Sequence, residues 1–585
     1  MLKWQCILGL FWLPSLSFGS QRIVEKIRPD GFVQYVWFPH FDQGDLSGAE
    51  LARGYIKEHL KELGLSRIED LRLGPIQHSL LGSHFHFQHT LGGVDVYGSE
   101  IVVSVDQKHI YLVYNGVYPN PPTLTEPCPP SIPQEKAYDI AWSDLEVRGD
   151  LRGVPRIQKI WWKGKQNLLP SYRIELSILD PLGSWEYIIH QETGEILSKT
   201  NLHLSKKEED SRSSSKPILD RRDAFRRFFF KSRKLESLDQ NPERRDGRAL
   251  VFDPNPVVVL ERDDLTDDSD PSLFEGAYEE KTLSDLSYED GFYHLRGPWV
   301  ELLDWDAPMS GVTRKTDGAW FHKRGEAGFN DAMTYYHLDM SQRRLQNLGF
   351  VGDRGVLAFP IQVDTDGFHG GDNSYYDPLS KRLSFGHGCV DDNEDADVIL
   401  HEVGHALQMD IVPLWMEGDS GAIGEGFGDY WATSYRYRGP HKDFNTFQMF
   451  SWDRAGGCWP GRRTDQTHAQ YDRSKNYYAH GSEEGFIHEE LWSTPLVQAM
   501  VELVSLGVPK EEVDRIVVQA HFGLSRGVRM EDMALATLMT ARMLYPEGPH
   551  GGSFLKAFLA QNLLPRVAGP NSQKIAQGDL FRSYQ

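Results

Sequence analysis

Cysteine is scarce, with four in 585 residues. That excludes a disulfide-scaffolded fold and leaves an apolar core, for which the chain is amply long, to hold the protein together. Positive charge is in deficit: 62 Lys and Arg against 84 Asp and Glu give a net charge of −22. Such a balance argues against nucleic acid as a partner and for solubility, without identifying a substrate. Past the N-terminus no stretch approaches the ~20 consecutive apolar residues of a membrane span, so none is expected. Internal repeats and low-complexity tracts of note are absent, and the length implies several domains of the usual ~100–200 residues each.

What the chain does have is the pentad His401-Glu402-Val403-Gly404-His405, followed by Glu425 and Asp429. Residues four apart on a helix share a face, so His401 and His405 can offer two imidazole nitrogens to one metal ion while Glu402 lies beside them. Catalytic zinc keeps three protein ligands and one open position. Glu425, with nineteen residues between it and His405, is the natural third ligand. Asp429, one helical turn on, could accept the free N–H of a ligand imidazole. Val398, Ile399 and Leu400 form an apolar approach to the pentad, and Asp391, Asp392, Glu394, Asp395 and Asp397 load the helix start with negative charge that suits its dipole. A metzincin is excluded, because Gln408 and Ile411 stand where that class needs Gly and His.

The pentad, the gap and Glu-x-x-x-Asp together resemble the gluzincin endopeptidases of the thermolysin and fungalysin families; the Gly-Ala-Met-Glu-Asn type motif of the zinc aminopeptidases is missing. Phe329-Asn330-Asp331-Ala332-Met333-Thr334-Tyr335-Tyr336-His337 is similar to the long helix that opens their catalytic domain. Asp372-Asn373-Ser374-Tyr375-Tyr376 resembles the edge strand in which an Asn and the next small residue hold the substrate backbone, which makes Asn373 and Ser374 substrate-binding candidates. A second catalytic histidine is implied before Leu491-Trp492. Counting back selects His480, with His488 as a rival, and Glu484 stands where the families have glycine.

The resemblance therefore implies a zinc endopeptidase. His401, His405 and Glu425 would hold Zn2+, Glu402 would be general base and then acid toward a zinc-activated water, and His480 would donate to the developing oxyanion. A tyrosine donor would come from Tyr471, Tyr477 or Tyr478. Relatives commonly favour an apolar residue after the scissile bond, but the deciding pocket is not readable from sequence. Calcium finds little support: eleven residues past Glu425 stands Arg436, and Asp397 with its acidic neighbours serves equally well as helix-start charge. The competing reading, from another class, is an inactive zinc-containing scaffold or binding protein. Intact Glu402 argues against it.

The expected fold class is α+β, with α+β propeptide modules followed by a two-lobed thermolysin-like catalytic domain: a mixed α/β N-lobe, an α-helical C-lobe and the zinc helix between. A single early Lys3, apolar residues 4–13 and small residues up to Gly19 read as a secretory signal peptide, 1–19, and hence as secretion to an extracellular or periplasmic space. Residues 20–120, read as helix then alternating strands, resemble the propeptide module of these families, and 130–202 its PepSY half, so the chain's own propeptide is an expected partner as chaperone and inhibitor. Basic residues 203–249 form a linker where processing is expected. The catalytic domain takes 250–565, with a tail at 566–585. Cys389 and Cys458 flank the zinc helix and are expected to pair in an oxidising compartment, leaving Cys128 over. The substrates would be proteins or peptides, and the enzyme a monomer.

Overall fold

A computed structural model describes residues 24–565, apart from 42–45, 120–130, 166, 208–218, 222–223, 225–241, 414 and 484. The expected signal peptide, Cys128, most of the basic linker and the tail lie outside the described residues.

Val33–Trp37, a β-branched and aromatic run, forms a strand ahead of the helix Gly48–Glu58. Strand therefore comes before helix here, the reverse of the expected order. The ten strands up to Asn201 join in one sheet. Its first part carries the long hairpin of Ser83–Leu91 and Val94–Val105; its second is a meander of Arg156–Lys163, Leu168–Leu179, Leu182–His190 and Ile196–Asn201. A parallel step, Val96 beside Trp161, sews the two together. Each part nonetheless buries its own core. Leu51, Tyr55 and Ile56 pack on Phe85, Phe87, Ile101 and Val103 in the first, whereas Tyr138, Ala141 and Leu145 of the helix Gln134–Leu145 pack on Tyr172, Ile174 and Tyr187 in the second.

Strand alternation then decides what the first part does with its other face. Phe85 and Phe87 point at the helix, so His84 points away, where it stacks on Phe522 with ring centroids 5.3 Å apart. Ser104 and Ser79 Oγ each lie 2.8 Å from one of its ring nitrogens, and Gln519 bonds both Ser79 and the Leu80 N–H. Burial, helped by nearby His86 and His78, lowers the His84 pKa to about 3 from an ordinary 6.5. Below pH 6.5 the unfolded chain takes up a proton that the folded chain refuses, so stability falls as pH drops toward 3, by about 1.4 kcal/mol per unit for this group. The melting temperature should fall between pH 7 and 4.5 more steeply for the native chain than for His84→Gln; equal slopes would refute the assignment.

From residue 243 on, two five-stranded sheets precede a helical region. One runs in the order Arg314–Lys315, Phe292–His294, Glu279–Glu289, Glu243–Val251, Ala319–Trp320. The other runs Leu204–Ser205, Tyr375–Asp377, Arg382–Ser384, Ile361–Asp364, Val300–Leu302. Its first strand comes from residues that composition places in the linker, so the boundary at 202/203 does not coincide with a structural break. Helix Ala327–Asn347 lies among the strands; Ala396–Ile411, Asp419–Arg436, Glu490–Ser505, Lys510–Gln519, Met530–Leu544 and His550–Ala560 follow. One continuous core joins them all and takes in Tyr35, Trp37, Tyr111 and Tyr114 from the N-terminal sheet. The architecture is mixed α and β, in keeping with the α+β class. Among the described residues no helix is long and apolar enough to cross a membrane.

Candidate metal centre

The pentad lies on the helix Ala396–Ile411, which begins where the Asp395 side chain accepts the Asp397 N–H. Helix Asp419–Arg436 crosses it at very close range. A Cβ on Gly404 would come 2.7 Å from Gly428 Cα, and one on Gly428 would come 2.6 Å from His401 Nδ1. Glycine at both positions is what lets two carboxylates of the second helix reach the imidazoles of the first.

Four buried groups meet there. His401 Nε2 and His405 Nε2 are 3.1 Å apart and stand 3.2 and 3.3 Å from the two oxygens of Glu425. A tetrahedral ion bound at 2.0–2.1 Å needs donors ~3.3 Å from one another, so the three residues fit zinc without rearrangement. Asp429 Oδ1 lies 3.0 Å from His401 Nδ1, on the far side of that ring. Burial and Arg462 push the His401 imidazole toward neutrality, but Asp429 and Glu425 outweigh them and raise its pKa to about 9. Burial raises the Glu425 carboxyl, yet the imidazoles of His480, His405 and His401 hold it well below the usual range. The cluster favours positive charge at its centre, as a metal site must.

Glu402 is fully buried beside this cluster. Burial pushes its pKa up to about 8, against the pull of His401. Its Oε1 accepts a backbone N–H from Lys206 at 3.2 Å, and among the described residues nothing donates to its Oε2.

The two rival histidines part company. His480 Nε2 lies 3.7 Å from Glu425 Oε1, and its other ring nitrogen lies 3.3 Å from Glu489, which also takes the His480 backbone N–H. His488 sits instead between Tyr477 and Tyr478, its Nδ1 beside the Tyr478 carbonyl. Of the tyrosines, Tyr471 donates to Asp419, the Tyr477 hydroxyl accepts from the Asp472 N–H, and Tyr478 is 57% exposed.

Across the cleft, residues 204–207 lie along the site. Leu204 and Ser205 pair antiparallel with Tyr376 and Tyr375. Asn373 Nδ2 donates to the Lys207 carbonyl at 3.0 Å, so Asn373 meets this segment. Ser374 does not; its hydroxyl turns inward and donates to Asp392. Cys389 and Cys458 are joined in a disulfide with Cα atoms 6.0 Å apart.

Sequence reasoning missed Arg462, which is buried and holds the site together. Its guanidinium donates to both oxygens of Asp429, lies 3.5 Å from Glu489 and donates to the Lys206 carbonyl. Pro460-Gly461-Arg462-Arg463 carries no spacing rule that would single it out. Glu489 was likewise passed over, although it adjoins the rival His488.

No family model and no curated protein matches the chain. Among solved structures it is similar to the precursor of protealysin, a metalloproteinase from Serratia proteamaculans, at 12% identity and a TM-score of 0.32, over 44% of this chain and 84% of that one. It is also similar to the C-terminal domain of YpeB from Bacillus megaterium, at 13% identity and a TM-score of 0.19, over 31% of this chain and 88% of that one.

Proposed function

We propose that the protein is a secreted zinc endopeptidase made as a zymogen, with residues 20–202 as a two-module propeptide and 250–565 as a two-lobed catalytic domain. One observation carries this reading: three metal donors at tetrahedral spacing lie beside a buried, half-unpartnered Glu402 that faces a backbone amide of an extended segment. A structural zinc site has no use for that carboxylate or for a strand laid along the cleft.

His401, His405 and Glu425 would hold the ion, which when bound supplies a Lewis acid and an acidified water. The chain's own groups divide the remaining work. Asp429 fixes the ring orientation of His401, and Arg462 holds Asp429 while gripping a substrate carbonyl. Glu402 takes a proton and hands it to the departing amide nitrogen. His480, oriented by Glu489, presents a ring N–H on the side of Glu425 where charge develops on the substrate oxygen. Asn373 supports the substrate backbone from the edge of the sheet. In the state described here the chain fills its own cleft, which accounts for a silent precursor.

Metal analysis of the purified full chain should give one zinc per molecule, and His405→Ala should give none. Once the propeptide has been released, the native protein should hydrolyse casein and a chelator should stop it. Full casein hydrolysis by metal-free protein would refute the proposal.

A further inference from the structure

Residues 204–207 do more than cover the site, because the backbone and ammonium of Lys206 and the carbonyl of Lys207 are each met by a group of the cleft. The Lys206 N–H goes to Glu402, its carbonyl to Arg462, and the next carbonyl to Asn373. The Lys206 side chain is 0% exposed and enters a closed pocket. There its ammonium donates to Asp392 Oδ1 and, at 2.8 Å, to Asp453 Oδ1, both fully buried. Both carboxylates are held from behind: Ser374 donates to Asp392, and the Trp459 indole N–H donates to Asp453 at 2.6 Å. Lys207, by contrast, stays partly exposed against Asp372.

Peptide hydrolysis delivers a proton to the leaving nitrogen, so the amide beside Glu402 marks the bond to be cut. Among the described residues that amide is Lys206 N, and the bond is Ser205–Lys206. We propose that the Asp392–Asp453 pocket selects the residue just after the scissile bond, that the enzyme cuts before lysine, and that Ser205–Lys206 is the first bond it cuts. This rests on the endopeptidase reading above.

In that cut a water oxygen bonds to the Ser205 carbonyl carbon and the C–N bond to Lys206 breaks. Both water protons end on the nitrogen, one by way of Glu402, leaving a carboxylate on Ser205 and an ammonium on Lys206. The pocket departs from the apolar preference that the family resemblance implied. An apolar side chain there would leave two buried carboxylates without a counter-charge, whereas lysine satisfies both, so discrimination comes from rejection as much as from attraction.

The test uses the full chain, incubated with zinc and followed by intact mass and N-terminal sequencing. A new chain beginning at Lys206 is expected; a first cut elsewhere, or none, overturns the assignment of that bond. The cut protein is then given a mixture of proteome-derived peptides, and the new N-termini are read by mass spectrometry. Lysine should exceed leucine at the first position of the products by tenfold or more, and Asp453→Asn should narrow that ratio at least tenfold. Cleavage with no basic preference overturns this proposal and leaves the endopeptidase standing. Failure to cleave any peptide, with zinc bound, takes both down.

Discussion

Glu402→Gln is expected to keep zinc at native stoichiometry and to lower peptide hydrolysis by about 10³-fold, within the range that positioned acid–base groups contribute. The substitution preserves shape in a fully buried position, and neither metal helix has to move. It removes the one group in contact with the Lys206 amide that can both accept and return a proton. The same variant should therefore retain its propeptide, visible as an uncut chain by intact mass. Unchanged proteolysis alongside unchanged zinc content would place the catalytic base elsewhere.

The second large effect concerns stability. In the Glu402→Gln background, where the chain stays whole, Lys206→Met should destabilise the precursor by about 3–5 kcal/mol, the usual cost of removing one partner from a buried ion pair. Met fills nearly the same volume, so packing is spared and the loss reports the negative charge that the Asp392–Asp453 pair holds once its lysine is gone. Burial raises Asp392 well above the usual carboxylate range despite Lys206, whereas Lys206 outweighs burial at Asp453 and holds it low. Without the lysine both would be driven to take up protons, so the loss should be smaller at pH 5 than at pH 8. Thermal melts of the two proteins at both pH values check this, and coincident curves at pH 8 would refute it.

What the sequence disclosed follows from how the residues are arranged along the chain. His401, His405, Glu425 and Asp429 were legible because two helices carry them at helical spacing. The motif singled out Asn373, which the fold places against residues 204–207, and the Cys389–Cys458 pair was legible through its position around that helix. The lysine pocket was not, since its members come from three distant places: Lys206 is 186 residues from Asp392 and 247 from Asp453. Nor could Leu204–Ser205 be read as a strand, because two residues carry no periodicity and the polar composition after them reads as linker. His480 and His488 stand eight residues apart in one segment, and only the fold places Glu489 behind one and two tyrosines around the other.

The pairing of Leu204–Ser205 with strand Tyr375–Asp377 has a consequence for solubility. When the segment leaves, Tyr375–Asp377 becomes the bare margin of its sheet, with backbone groups free to pair with any extended chain. That readiness is what a peptide substrate of the proposed endopeptidase needs, and it is equally a template for a second copy of the chain. On the proposed zymogen reading the precursor travels with its margin sealed, and the protein freed of this segment should self-associate more readily than the full chain whenever substrate is scarce.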